Sequence, residues 1–202
     1  ALPILERVEA NRNFANKIWN AARFILMNLG DDEKAPHIPE GLALEDKWIL
    51  SLYNDLVKDV TDSLEKYELG MAVQKLYDFI WDVFCDWYIE LSKIRLGGDD
   101  EKAKETAKAV LVYVMSNTLK LLHPFMPFLT EELWQNMSDR QINEALIITQ
   151  QRTAQDFNPE LIQNFETSKE LISGVRNYRQ SKGISPKEAV EIFTNAAEFN
   201  NE

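Results

Sequence analysis

From Arg12 to Leu29 the chain places an apolar residue every three or four positions. Wrapped at about 100° per residue, Phe14, Ile18, Ala21, Ala22, Ile25, Leu26 and Leu29 fall on one side of a helix, and Arg12, Asn13, Asn16, Asn20 and Arg23 on the other. Gly30 stands where a C-cap belongs, and the stretch from Asp31 to Gly41, with Pro36 and Pro39, reads as a loop. The same spacing predicts a second helix from Leu44 to Tyr67, striped by Ile49, Leu52, Leu56, Val60 and Leu64, with Gly70 as a break. A third runs from Met71 to Ile94 and holds Leu76, Tyr77, Ile80, Phe84, Trp87, Tyr88 and Leu91, until Gly97-Gly98 ends it. A fourth spans Asp100 to Leu122, with Val110, Val114, Thr118 and Leu121 inward, and Pro124 stops it. A short fifth helix starts near Pro127, where Glu131 and Glu132 suit the positive end of the helix dipole.

After Met137 the pattern weakens. Ala145-Leu146-Ile147-Ile148-Thr149 reads as a short strand, and a sixth helix fits Pro159 to Lys182, closed by Gly183 and Pro186. Ala189-Val190-Glu191-Ile192-Phe193 alternates like a strand with no partner nearby, so a following unit is expected to begin there. No internal repeat is visible, which argues against a solenoid. Four long antiparallel helices with short turns make a bundle, expected over residues 1–150, with the sixth helix in 151–185 packing on it and 186–202 opening the next unit. An up-and-down path brings the C-terminal ends of helices one and three together, so Asn28 and Leu29 should lie near Ile94 to Leu96 and far from Arg12.

Composition removes most chemistry. The 202 residues are 45% hydrophobic with one cysteine, Cys85, which indicates a globular chain in a reducing, cytoplasmic compartment rather than a disulfide scaffold. No apolar run approaches the ~20 residues of a membrane span, and Ala1-Leu2-Pro3 does not open a signal peptide, so no membrane partner is expected. His37 and His123 are the only histidines; neither follows a glutamate by three residues, and one cysteine builds no zinc site. Phosphate-cradling glycine loops are absent, and the aromatic series Trp81, Phe84, Trp87 and Tyr88 at helical spacing reads as core. Neither a catalytic nor a metal-ligating set emerges, and no cofactor is expected for this chain alone.

The net charge of −11 argues at first against nucleic acid. Resolved along the chain it is segregated. Residues 10–30 carry Arg12, Lys17 and Arg23 with no acid, and residues 169–187 carry Lys169, Arg176, Arg179, Lys182 and Lys187 against Glu170, a net +7 that leaves −18 elsewhere. The first stretch also holds five asparagines, which a helix does not favour for its own stability. Arg12, Asn16, Asn20, Arg23 and Met27 fall within an arc of about 80°, a stripe of donors and amides suited to phosphates and base edges. Phe24 beside it can stack on an unpaired base. The same amides, Asn13 and Asn16 above all, would also fit a seam between helices. Arg176 and Arg179 share a face as phosphate contacts require, although a solvated face explains them equally. An RNA-binding module and a helical protein–protein scaffold both remain open on these residues.

Three blocks then narrow the choice. Arg12-Asn13-Phe14-Ala15-Asn16-Lys17-Ile18-Trp19-Asn20-Ala21-Ala22-Arg23-Phe24 resembles the first helix of the anticodon-binding domain of the valyl-tRNA synthetase family. Phe84-Cys85-Asp86-Trp87-Tyr88-Ile89-Glu90-Leu91-Ser92-Lys93 and His123-Pro124-Phe125-Met126-Pro127-Phe128-Leu129-Thr130-Glu131-Glu132-Leu133-Trp134 resemble the same family in the same order, and the likeness continues through Val175-Arg176-Asn177-Tyr178-Arg179. The isoleucyl, leucyl and methionyl enzymes share this bundle, and the isoleucyl module stays an alternative. The resemblance implies an all-α, antiparallel helical bundle of the class I synthetase anticodon-binding type. It also implies a monomeric piece of an enzyme that joins valine to its tRNA using ATP with magnesium. The family's His-Ile-Gly-His and Lys-Met-Ser-Lys-Ser signatures are absent; His37-Ile38-Pro39-Glu40 and Lys182-Gly183-Ile184-Ser185 are only superficially similar. The implied partners are valine tRNA and the parent's catalytic and editing domains. Arg12 and Asn13 would face the catalytic domain, while the far end, with Met27, Asn28, Lys93 and Arg95, would meet the anticodon and Arg176 and Arg179 would touch phosphates elsewhere.

Overall fold

The computed structural model describes residues 2–29, 37–138, 140, 144–151, 153, 156, 159–185, 188–189 and 191. The periodic segments fold as helices: α1 (Leu2–Leu29), α2 (Leu44–Glu65), α3 (69–96), α4 (Glu101–Leu122), α5 (Pro127–Asn136) and α6 (Pro159–Lys182). The architecture is all-α, and no strand forms among the described residues. Two compact units result, Ala1–Ile162 and Gln163–Glu202.

Ring and ion-pair contacts fix the direction of the first three helices. Phe14 meets Tyr77 with ring centroids 4.8 Å apart, Lys17 Nζ lies 2.7 Å from Asp86, and Lys93 Nζ lies 5.6 Å from the Phe24 ring, so α1 and α3 run in parallel. Lys75 pairs with Asp59 at 3.1 Å while Arg95 reaches Asp46, so α2 runs against α3. The expected up-and-down path is present, with the C-terminal ends of α1 and α3 at the N-terminal end of α2.

The core is built on Trp48, Ile49, Leu50 and Tyr53 of α2, Phe84 and Tyr88 of α3, and a run of α4 that is buried all round from Ala109 to Leu119. A helix buried on every side is the centre of its bundle rather than one wall of it. Asp100 caps α4, its Oδ1 accepting the backbone N–H groups of Lys102 and Ala103 at 2.9 and 3.1 Å. Middle turns of α3, Phe79–Tyr88, are wound as π-helix, which apolar positions at three- and four-residue spacing do not announce.

Two boundaries differ from expectation. The break between α2 and α3 is made by Tyr67 at φ 60°, where Glu68 N–H bonds Ser63 carbonyl at 2.8 Å and Tyr67 N–H bonds Leu64 carbonyl at 3.0 Å; Gly70 lies inside α3. The anticipated strand at Ala145–Thr149 does not form. Leu146–Ile148 is a single 3₁₀ turn, with no second strand alongside to pair with it among the described residues. Its surroundings hold it by side chains instead: Glu131 accepts Leu146 N–H at 2.9 Å, Gln135 donates to the Glu144 carbonyl at 2.6 Å, and Lys120 donates to the Gln150 carbonyl at 3.2 Å. The C-cap at Gly30 and most of the strand expected at Ala189–Phe193 lie outside the described residues. In the second unit α6 ends as its sequence indicates, at Gly183 with φ 65°, a conformation an L side chain resists.

Candidate nucleic-acid interface

The outward face of α1 carries the stripe. Phe14, Ile18, Ala21, Ala22, Ile25 and Leu29 are buried, and the opposite side exposes Arg12, Asn16, Asn20, Arg23 and Met27. Asn13 is exposed as well, so neither it nor Asn16 sits in a seam between helices of this unit. Phe24 and Asn28 flank the stripe half-buried, the Asn28 amide donating to the Phe24 carbonyl at 2.8 Å. Trp19 stands about 20° beyond the edge of that arc and is 46% exposed. Periodicity alone gave no reason to single it out, since an aromatic residue in a helix is normally core; its exposure is the signal.

Not every cation of this region is available to a ligand. Lys17 is drawn inward, 2.7 Å from Asp86 and 3.8 Å from the Trp81 ring centroid. Arg12 pairs with Glu9 at 3.2 Å in the open, an arrangement that solvent weakens. Arg23 is exposed and makes no ion pair among the described residues.

At the C-terminal end of α1 the last turns of α3 join the surface. Lys93 lies over Phe24 and pairs with Glu90 at 2.5 Å. Met27 and Ile94 stand at this same end with 72% and 74% of their surfaces exposed. Large apolar side chains beside cations offer stacking and phosphate contacts together.

Arg95 reaches this end but turns inward. Its Nη1 and Nη2 donate to Asp46 Oδ2 and Oδ1 at 2.8 and 2.5 Å, and Nε lies 3.0 Å from Glu45 Oε1. Asp46, wholly buried, also accepts from the Tyr88 hydroxyl at 2.6 Å and from Ala43 N–H at 3.0 Å. Burial opposes the charge on Arg95, but the hydrogen bonds and charge of Asp46 outweigh it and hold the guanidinium above its ordinary value. Burial, reinforced by the Asp46 charge, holds the Tyr88 phenol protonated well above the usual range.

The second basic cluster lies in the second unit. Arg176 is exposed, and Arg179 donates to the carbonyls of Ser185 and Glu188, bracing the end of α6. Both line an open groove of about 820 Å³ with Leu171, Ile172 and Val175. Lys169 is paired with Glu166 at 2.8 Å, and Lys187 lies outside the described residues.

Groups that could do chemistry are accounted for structurally. The Cys85 thiol is pushed up to about 12 by burial, so it is no thiolate near neutrality. His123 Nδ1 lies 2.8 Å from Thr130 Oγ1 at a turn. Among the described residues no group of three or more His, Cys, Asp and Glu could hold a metal ion, and no helix is long and apolar enough to cross a membrane.

Residues 46–194 match the family described as the anticodon-binding domain of tRNA ligase. The valine–tRNA ligase of Clostridium acetobutylicum is 48% identical over 202 residues, covering 95% of this chain and 22% of that protein. That of Geobacillus stearothermophilus is 43% identical over 189 residues, covering 93% and 22%, and that of Staphylococcus saprophyticus is 40% identical over 210 residues, covering 96% and 22%. The chain thus spans about a fifth of the length of the curated relatives it matches.

Proposed function

Because the chain belongs to the family of anticodon-binding domains of tRNA ligases, we propose that it is the anticodon-reading module of a valine–tRNA ligase, acting as a monomer in the cytoplasm. The valine assignment is supported by relatives at 40–48% identity that carry that name. ATP, with magnesium, would be bound by the parent's catalytic domain, which attaches valine, and an editing domain would complete the protein; this chain contributes recognition of valine tRNA.

One observation carries the RNA-binding part: the face of α1 turned away from the core is the face that holds Arg12, Asn16, Trp19, Asn20, Arg23 and Met27. At its far end Phe24, Met27, Asn28 and Ile94 offer apolar surface and an amide to unstacked anticodon bases, while Arg23 and Lys93 reach the flanking phosphates. Arg12 and Asn13 would face the parent's catalytic domain. Arg176 and Arg179 would take phosphates on a separate part of the tRNA, Arg179 only through whatever donors its two carbonyl partners leave. With few phosphates neutralised in a chain of net charge −11, binding is weak and salt-sensitive.

The test is a fluorescence anisotropy titration of valine tRNA at several salt concentrations. Reversing Arg23 and Lys93 together to glutamate should weaken binding about tenfold or more and flatten the logarithmic salt dependence by ~0.7–0.9 for each phosphate lost. Unchanged affinity would remove these residues, and the α1 face with them, from the interface.

A further inference from the structure

The buried carboxylate of Asp46 gathers three parts of the chain. Ala43 N–H comes from the segment before α2, the Tyr88 hydroxyl from the end of the π-helical turns, and both Nη groups of Arg95 from the last turn of α3. Tyr88 and Arg95 are seven residues apart and therefore share a face of α3. With that face held against α2, the neighbouring positions have no choice of direction: Lys93 is turned over Phe24 of α1, and Ile94 stands in solvent. One residue beyond Arg95 the helix gives way to Gly97-Gly98, and helix ends without an anchor fray. Arg95 is also a poor candidate for a phosphate. Pulling its fork out would strand a carboxylate with no access to water, which is strongly unfavourable.

We propose that Arg95 is a positioning residue: with Asp46 and Tyr88 it fixes the last turn of α3 so that Lys93 and Ile94 are presented to RNA, and it makes no contact with RNA itself. This rests on the RNA-binding function proposed above.

The experiment measures valine tRNA affinity against salt for the 202-residue chain and its R95Q, K93Q, R95Q/K93Q and Y88F variants, at a temperature where circular dichroism shows each one folded. For R95Q the expected result is about a tenfold loss of affinity with a salt slope lowered by ~0.7–0.9, as in K93Q, because displacing Lys93 removes its phosphate contact. K93Q should lower the slope, and adding it to R95Q should cost little more, since Lys93 is already displaced there. A slope that falls in R95Q/K93Q by a further ~0.7–0.9 beyond either single variant would make Arg95 a phosphate contact of its own and overturn the proposal. Unchanged affinity in folded R95Q, or strictly additive losses in the double variant, would leave Arg95 a purely structural role and also overturn it. Should R95Q not fold, Y88F removes only one hydrogen bond from Asp46; about a two- to threefold loss that adding K93Q does not deepen beyond K93Q alone supports the proposal, and no loss contradicts it. A wild-type chain without salt-dependent tRNA binding would instead overturn the underlying function.

Discussion

The cations at the candidate interface differ in whether an acid already holds them. Arg23 has none among the described residues, Arg12 and Lys93 have glutamates three residues upstream, and Lys17 and Arg95 are committed to Asp86 and Asp46. The i,i+3 pairs can be read from sequence, because a helix brings such positions together. The other two cannot: their partners lie 69 and 49 residues away, and only the packing of α1 and α2 on α3 delivers them. Trp19 was illegible for a different reason, since an aromatic side chain at the edge of the stripe reads as core until its exposure is seen. If Trp19 stacks on a base, Trp19→Ala should weaken valine tRNA binding by about 1–3 kcal/mol without changing the salt slope, as anisotropy would measure. Cys85 supports a prediction about stability. Its thiol is raised from 9.0 to about 12 by burial, so its contribution is full below pH 9 and is lost as pH rises toward 12. Chemical denaturation between those pH values should show stability falling, and Cys85→Ala should make the fall shallower.

Helices were legible where one face is apolar and obscure where burial or exposure is uniform. The buried side of α1 from Phe14 to Leu29 matches the expected stripe, yet the helix begins at Leu2, where exposed Leu5 and Val8 give no periodic signal. The all-round burial of α4 likewise hides behind a stripe of four residues. Tyr67 ends α2 in a left-handed conformation that glycine normally fills, which is why Gly70 looked like the break. Ala145–Thr149 has the composition of a strand without a strand to pair with, and tertiary contacts from Glu131, Gln135 and Lys120 decide its form. The cap of α4 is Asp100, which periodicity marked only as the start of the helix. Asp100→Ala should lower stability by about 1 kcal/mol in thermal or denaturant unfolding, and a neutral result would mean that the first turn of α4 is held from elsewhere.

Over the whole molecule the charge of −11 conceals where the basic residues of the candidate interface gather. The parallel course of α1 and α3 brings Arg23 and Lys93 to the end that exposes Met27 and Ile94, and acidic residues elsewhere discourage indiscriminate binding of polyanions. The order and direction of the helices followed from periodicity and short turns; the sharing of one end by two helices distant in sequence gave the candidate site its place. Discrimination by anticodon is the most direct consequence. Competition should be measured between valine tRNA and the same tRNA carrying an isoleucine anticodon, using the 202-residue chain at fixed salt. The expected result is a preference of about tenfold for the valine anticodon that persists when Arg23 and Lys93 are reversed to glutamate, a change that weakens both tRNAs about equally. Equal affinity for the two tRNAs in the unaltered chain would contradict it.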